Sequence, residues 1–125
     1  MSEPWNNDMW FTSPWNFDDE VKKDITFDLS PKIHDVTLRD GEQQAGVMFN
    51  KDEKIRIAEA LAEVGVHRIE AGMPVVSKSD EQAIIEIVKR LEGSNTEVFS
   101  FARCMADDVK RSAATGVGGI LRDIF

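Results

Sequence analysis

The sequence predicts an α/β fold built on a parallel sheet. From Pro31 onward, strand-like segments alternate with helix-like segments at a spacing of roughly thirty residues, as in βαβ units. Glycines and a proline separate the segments. Right-handed crossovers of this kind place successive strands side by side and parallel. In such sheets ligands bind at the carboxyl ends of the strands, whether the sheet is open or closed.

The length, charge and cysteine content of the chain disfavour or exclude several classes of protein. The chain has 125 residues and a mass of 14.1 kDa, with 42% hydrophobic and 30% charged residues, as in one soluble globular domain. Its net charge of -8 disfavours nucleic acid as the main partner. No segment has the length and apolarity of a membrane span, and the start MSEPWNND does not resemble a signal peptide, so we expect a cytoplasmic protein. The single cysteine, Cys104, excludes an intramolecular disulfide.

Residues 1–30 are predicted to form an acidic, tryptophan-rich extension, followed by a domain over residues 31–125. The extension holds seven Asp or Glu against two Lys, and it contains all three tryptophans, Trp5, Trp10 and Trp15. We expect these aromatic rings to pack on the domain surface or on a subunit partner, and a ligand-binding platform is the alternative. A short helix over 18–24 and a short strand over 25–29 are predicted within it.

The domain begins with a strand predicted over residues 32–38, which mix β-branched and polar side chains, followed by the loop RDGEQQAG. A helix follows, because Asn50 can cap it, Glu53 completes a capping box and Gly65 ends it. Its apolar stripe is Ile55, Ala58, Leu61 and Ala62. The remaining elements are predicted as a strand over 66–71, a helix opened by Ser79 with Gln82 and ended by Gly93, a strand over 98–102, a helix over 107–114 and a strand over 117–121.

Five polar side chains stand at the carboxyl ends of the first two strands: Arg39, Asp40, Glu42, Gln43 and Glu70. Asp40 offers a hard oxygen ligand for a divalent cation, and Arg39 offers a guanidinium fork for an enolate or a keto-acid oxygen. Glu70 could orient that fork from the neighbouring strand. A surface ion pair between two strand ends is the alternative, and the spacing alone does not decide between them.

Two stretches, HDVTLRDGEQ at 34–43 and KDEKIRIAEALAEVGVHRIEAGMP at 51–74, resemble the pyruvate carboxyltransferase-like family of metal-dependent (β/α)8 barrels. This family includes isopropylmalate, homocitrate and citramalate synthases and hydroxymethylglutaryl-CoA lyase. The motif LRDGEQ resembles that of the synthase branch, because the lyase tends to carry an apolar residue at the position of Glu42. An eight-stranded barrel normally needs about 200 residues or more, so the resemblance implies the first three to four βα units of one.

The resemblance also implies an activity and the residues that carry it. The reaction is a Claisen-type condensation of acetyl-CoA with a 2-oxo acid, a step of amino-acid biosynthesis, by an enzyme that is a homo-oligomer at full length. Arg39 and Glu70 become catalytic residues, Arg39 and Gln43 bind the substrate, and Asp40 is a ligand of a divalent metal such as magnesium or manganese, with zinc as a further option.

The sequence departs from the family pattern in its histidines. The family's remaining metal ligands are a His-x-His pair on a late strand, whereas this chain has only His34 and His67, which are far apart. The metal site is therefore expected to be incomplete, and the chain to be a fragment that is inactive alone. Both histidines are expected to be structural, at the strand ends opposite the site. Cys104 follows the third strand at the active-site end and is expected to be a buried inert thiol, with contact to the substrate as the alternative. A lyase and a non-catalytic remnant are the alternative functions.

Overall fold

A computed structural model of the chain describes residues 6–26 and 30–123, which divide between two units, 1–31 and 32–125. In the first unit a short helix, α1 (Asp19–Lys22), follows a 3-10 turn at Pro14–Phe17. Asp18 caps α1 by accepting a hydrogen bond from the backbone N–H of Glu20 at 2.8 Å. The helix predicted here is thus confirmed in shorter form.

The rest of the extension differs from the prediction or cannot be compared with it. Residues 25–26 are not in a strand, and residues 27–29 of the predicted strand lie outside the described residues. The Trp10 side chain is 46% exposed and that of Trp15 is 70% exposed. Among the described residues, no helix is long and apolar enough to cross a membrane.

The second unit contains a four-stranded parallel sheet in the order β1-β2-β3-β4. Its strands are β1 (His34–Asp35), β2 (Arg68–Glu70), β3 (Glu97–Arg103) and β4 (Gly119–Asp123). Each strand pairs with the next one in the sequence, as consecutive units of a (β/α) barrel do, whereas a doubly wound sheet reverses its strand order. The α/β class is confirmed, and the fold matches the first units of such a barrel.

Three helices connect the strands: α2 (Lys51–Glu63), α3 (Lys78–Arg90) and α4 (Ala106–Ala114). The predicted capping box at α2 is present, since Asn50 Oδ1 accepts from the Glu53 N–H at 2.9 Å and Glu53 Oε2 accepts from the Asn50 N–H at 2.8 Å. The start predicted for α3 is wrong by two residues. Ser77, which has extended backbone angles, is the cap and accepts from the N–H of Asp80 at 3.0 Å.

The apolar core lies between α2, α3 and one face of the sheet. Its largest buried members are Leu38, Ile55, Ile69, Ile84, Ile87 and Leu91, and Val98 of β3 also belongs to it. Because successive residues of a strand point to opposite faces, the neighbours of Ile69 and Val98, namely Arg68, Glu70 and Phe99, lie on the other face. We call this second face the inner face, since it corresponds to the interior of a closed barrel.

The first strand is much shorter than the predicted 32–38, and the polar side chain of Asp35 explains why. Asp35 accepts hydrogen bonds from the Thr37 backbone N–H at 2.9 Å and the Thr37 hydroxyl at 3.1 Å. The Val36 carbonyl then accepts from the N–H groups of Arg39, Asp40 and Gly41. These local bonds replace the sheet ladder and turn the chain after Asp35. Residues 36–40 therefore belong to the loop, and a 3-10 turn over Gly41–Gln43 continues it.

Candidate active site

Arg39 and Glu70 form a bidentate ion pair where the first two strands end. Arg39 lies in the turn after β1, and Glu70 is the last residue of β2. Arg39 Nε donates to Glu70 Oε1 at 2.8 Å, and Nη2 donates to Oε2 at 3.3 Å. The contact between these two side chains, which the family resemblance implies, is present.

Burial and aromatic contacts fix this pair in place. The Glu70 side chain is 1% exposed and that of Arg39 is 21% exposed, so the carboxylate lies inside while the guanidinium reaches the surface. The Arg39 guanidinium carbon lies 4.7 Å from the centre of the Phe101 ring, within the range of a cation–π contact. A planar cation held by a buried carboxylate and by a ring face keeps a defined orientation.

His34 lies at this site, which corrects the prediction that it stands at the opposite strand end. Its Nε2 is 3.5 Å from Glu70 Oε2, and its ring meets Phe99 edge to face with 5.7 Å between the ring centres. The strand ends at Asp35 and not at Leu38, so His34 is one residue from the carboxyl end. His67, in contrast, has a structural contact, since its Nδ1 accepts from the Ile33 N–H at 3.1 Å.

Asp40 is the candidate metal ligand, and it lies beside the guanidinium. Its Oδ1 accepts from Arg39 Nη1 at 2.9 Å, and its side chain is 58% exposed. Hard cations usually gather six or more oxygen ligands, counting water. No group of three or more His, Cys, Asp or Glu able to hold a metal ion occurs within residues 6–26 and 30–123. Asp40 therefore offers a single ligand, and the described residues do not build a complete metal site.

Glu42 does not join the Arg39–Glu70 pair, although the sequence groups it with these residues. Its carboxylate turns back toward α2, where Oε2 is 2.6 Å from Lys54 Nζ and Oε1 accepts from the Phe49 N–H at 2.9 Å. Lys54 itself was missed by sequence reasoning. A signal for it exists, because Lys54 precedes Ala58 and Leu61 at helical spacing and so falls on the apolar stripe of α2.

Gln43 is exposed and lines a cavity of about 420 Å³ between the loops that follow β1 and β2. The cavity wall is largely apolar, with Leu38, Val47 and Met73 among its members, and Arg39 also lines it. Gln43 and Arg39 can therefore reach one bound molecule. Cys104 is exposed after the end of β3, so the prediction of a buried thiol is wrong.

Known proteins match most of this chain. Residues 30–122 match the HMGL-like family. The chain is 38% identical over 112 residues to the homocitrate synthase AksA of Methanothermobacter thermautotrophicus, an alignment that covers 90% of the chain and 27% of that protein. It is 42% identical over 89 residues to the homocitrate synthase AksA of Methanopyrus kandleri, which covers 71% of the chain and 22% of that protein. It is also 42% identical over 89 residues to the 2-isopropylmalate synthase of Sulfolobus acidocaldarius, with 71% of the chain and 23% of that protein covered.

The chain spans about a quarter of the length of these relatives. The family match covers well over half of the chain and includes β1 to β3, both loops of the site and the paired Arg39 and Glu70. The consecutive order of the parallel strands agrees with it. The chain therefore belongs to the HMGL-like family.

Proposed function

We propose that this chain carries part of the active site of an acyltransferase that condenses acetyl-CoA with a 2-oxo acid. The observation that supports this most strongly is the Arg39–Glu70 pair, a guanidinium held by a buried carboxylate at the ligand-binding end of the sheet. The relatives named homocitrate synthase and 2-isopropylmalate synthase agree with the proposal.

In this reaction the methyl group of acetyl-CoA loses a proton, and the resulting carbanion, stabilised as an enolate, forms a carbon–carbon bond to the ketone of the oxo acid. Negative charge moves to the ketone oxygen, which then takes up a proton. Water finally cleaves the thioester and releases CoA. Arg39 contributes positive charge beside the developing oxyanion, and such fixed charges are worth more in a partly buried site than in water. Glu70 acts through Arg39 by fixing its direction.

Two finer assignments belong to the same proposal. Gln43 contacts the oxo acid, because it shares the wall of the cavity with Arg39. Asp40 supplies one ligand to a divalent ion, which when bound would polarise the ketone as a Lewis acid. Since the described residues do not complete that metal site, no step is derived through the ion.

The test is a graft of residues 31–123 into the S. acidocaldarius 2-isopropylmalate synthase in place of its matching segment. CoA thiol release with a panel of 2-oxo acids is the readout. We expect release that depends on the oxo acid and falls about 100-fold or more in Arg39→Lys, because a point charge does not replace a bidentate fork. The matched control is Arg68→Lys, since Arg68 also lies on the inner face but pairs with the exposed Glu97.

Two results would contradict the proposal. A folded graft with no release of CoA would show that these residues do not form a condensing site. Cleavage of a hydroxyacyl-CoA without any condensation would assign the segment to the lyase reaction instead.

A further inference from the structure

A second charge cluster, centred on the buried Lys54, lines the same cavity as Arg39 and Gln43. Lys54 is 2% exposed, and its ammonium group contacts two carboxylates, Glu42 Oε2 at 2.6 Å and Asp80 Oδ1 at 2.5 Å. Burial disfavours the charge on Lys54, but hydrogen bonds to Asp80 and Glu42 prevail and raise its pKa above the ordinary value. Lys54 is therefore a permanent cation at neutral pH.

The Glu42 side of the cluster closes the loop that carries the candidate active-site residues. One Glu42 oxygen binds Lys54, and the other accepts from the backbone N–H of Phe49, the residue before the cap of α2. The Glu42 carboxylate thus joins the start of the loop 42–49 to its end at Phe49, and it also binds the loop to Lys54 of α2. Arg39, Asp40 and Gln43 lie directly before or at the start of this closed segment.

The Asp80 side of the cluster reaches the loop after β2. Asp80 lies in the first turn of α3, and its second oxygen accepts from the Ser77 hydroxyl at 2.6 Å. Nearby, Gly72 has a φ of 133°, and a Cβ added there would lie 3.7 Å from the Leu38 carbonyl oxygen and 3.9 Å from Lys54 Nζ. The backbone after β2 therefore approaches both the first loop and the cluster.

We propose that Lys54 is a positioning residue, which holds the loop bearing Arg39 and Gln43 in its binding geometry through Glu42 and ties that loop to α3 through Asp80. Only the catalytic consequence of this clamp rests on the proposed function. Loss of Lys54 leaves two half-buried carboxylates without their cation, and loss of the Glu42 charge leaves the buried Lys54 with Asp80 alone. In either case the loop should open much more often than the sheet does.

Hydrogen exchange in the ligand-free graft described above tests the clamp, because the isolated chain is expected to associate. The probes are the Phe49 backbone N–H and the Arg39 Nε–H, followed by NMR in the unaltered graft and in the variants Lys54→Met, Lys54→Arg and Glu42→Gln. We expect both probes to exchange about tenfold faster or more in Lys54→Met and Glu42→Gln, while the amides of β2 and β3 keep their rates. Lys54→Arg should restore most of the protection, because it keeps the cation. Arg90→Met, which removes an exposed ion pair with Glu59 and Glu86, is the matched control and should leave both probes unchanged.

Glu42→Gln is the decisive variant if Lys54→Met does not fold, since glutamine keeps one acceptor oxygen for Phe49 and places an NH2 donor where the second oxygen bound Lys54. Unchanged exchange at Phe49 and Arg39 in Glu42→Gln would overturn the proposal. So would an equal acceleration of the sheet amides, because that result indicates a general loss of stability. No turnover is measured, so an inactive enzyme with an intact clamp would contradict the proposed function alone.

Discussion

At the scale of single residues, Asp40 limits what this chain can do with a metal. One of its oxygens already accepts from Arg39, and the described residues bring no second and third ligand to it. We therefore predict that titration calorimetry of the chain with magnesium or manganese shows at best weak, millimolar binding, because hard cations need six or more oxygens. Micromolar affinity that Asp40→Asn abolishes would contradict this and would indicate a complete site.

The residues of the site could be predicted from sequence to different extents. Arg39 and Glu70 could be paired in advance, because both stand at the ends of neighbouring strands. His34 was misplaced because hydrogen bonds of the Asp35 side chain end the strand early, which a count of β-branched residues does not reveal. The partner of Glu42 was missed because a lysine twelve residues away on a helix gives no local signal of its contact.

At the scale of elements, Gly119 fixes how β4 packs beside β3. A Cβ at this position would lie 2.1 to 2.6 Å from atoms of the Phe99 ring, so the ring would have to move. We predict that Gly119→Ala lowers the free energy of unfolding by about 1 kcal/mol or more, as overpacking does. The adjacent Gly118→Ala is the control, since its Cβ would meet only the Val98 carbonyl oxygen at 3.7 Å. Equal melting temperatures for the two variants would show that the Phe99 ring position is not fixed by Gly119.

An ion pair between Arg103 of β3 and Asp108 of α4 makes the free energy of unfolding depend on pH in the acid range. Hydrogen bonds from Arg103 hold the pKa of the buried Asp108 below its usual range. A lowered carboxyl pKa stabilises the fold above the ordinary value of 3.8, and this contribution is lost as the pH falls through the folded pKa. We predict that Asp108→Asn lowers stability at pH 7 and flattens its decline below about pH 4, measured by urea unfolding. The control is Asp107→Asn, because the Asp107 side chain is 93% exposed. This variant should change neither the stability at pH 7 nor its decline in acid. An unchanged acid slope in Asp108→Asn would refute the assignment.

The start of α2 was predictable at this scale, whereas the start of α3 and the end of β1 were not. Asn50 and Glu53 form a complete local motif, so the start of α2 follows from four residues. The start of α3 was misplaced because both Ser77 and Ser79 precede the helix, and only the backbone shows which one caps it. Strand ends depend on neighbours that are distant in sequence, and β3 accordingly extends to Arg103 while β2 stops at Glu70.

At the scale of the whole molecule, the described sheet has two open edges, since β1 and β4 each pair on one side only. Its inner face carries Phe99, and Leu121 is 37% exposed. Open edges and apolar faces favour association. We predict that the purified chain is an oligomer or an aggregate that binds a hydrophobic dye, measured by light scattering and fluorescence. A monodisperse monomer with a cooperative melt and no dye binding would refute this.

We propose that Arg39 acts on the reacting oxygens and that Glu70 acts through Arg39. A double-mutant cycle in the grafted synthase distinguishes this joint action from independent action, by comparing kcat/KM for CoA release in Arg39→Lys, Glu70→Gln and the double variant. Arg39→Lys should cost about 100-fold, or about 2.7 kcal/mol. Because both changes disturb one guanidinium, the double variant should cost clearly less than the sum of the single losses. Strictly additive losses would show that the two residues act independently and would contradict the account.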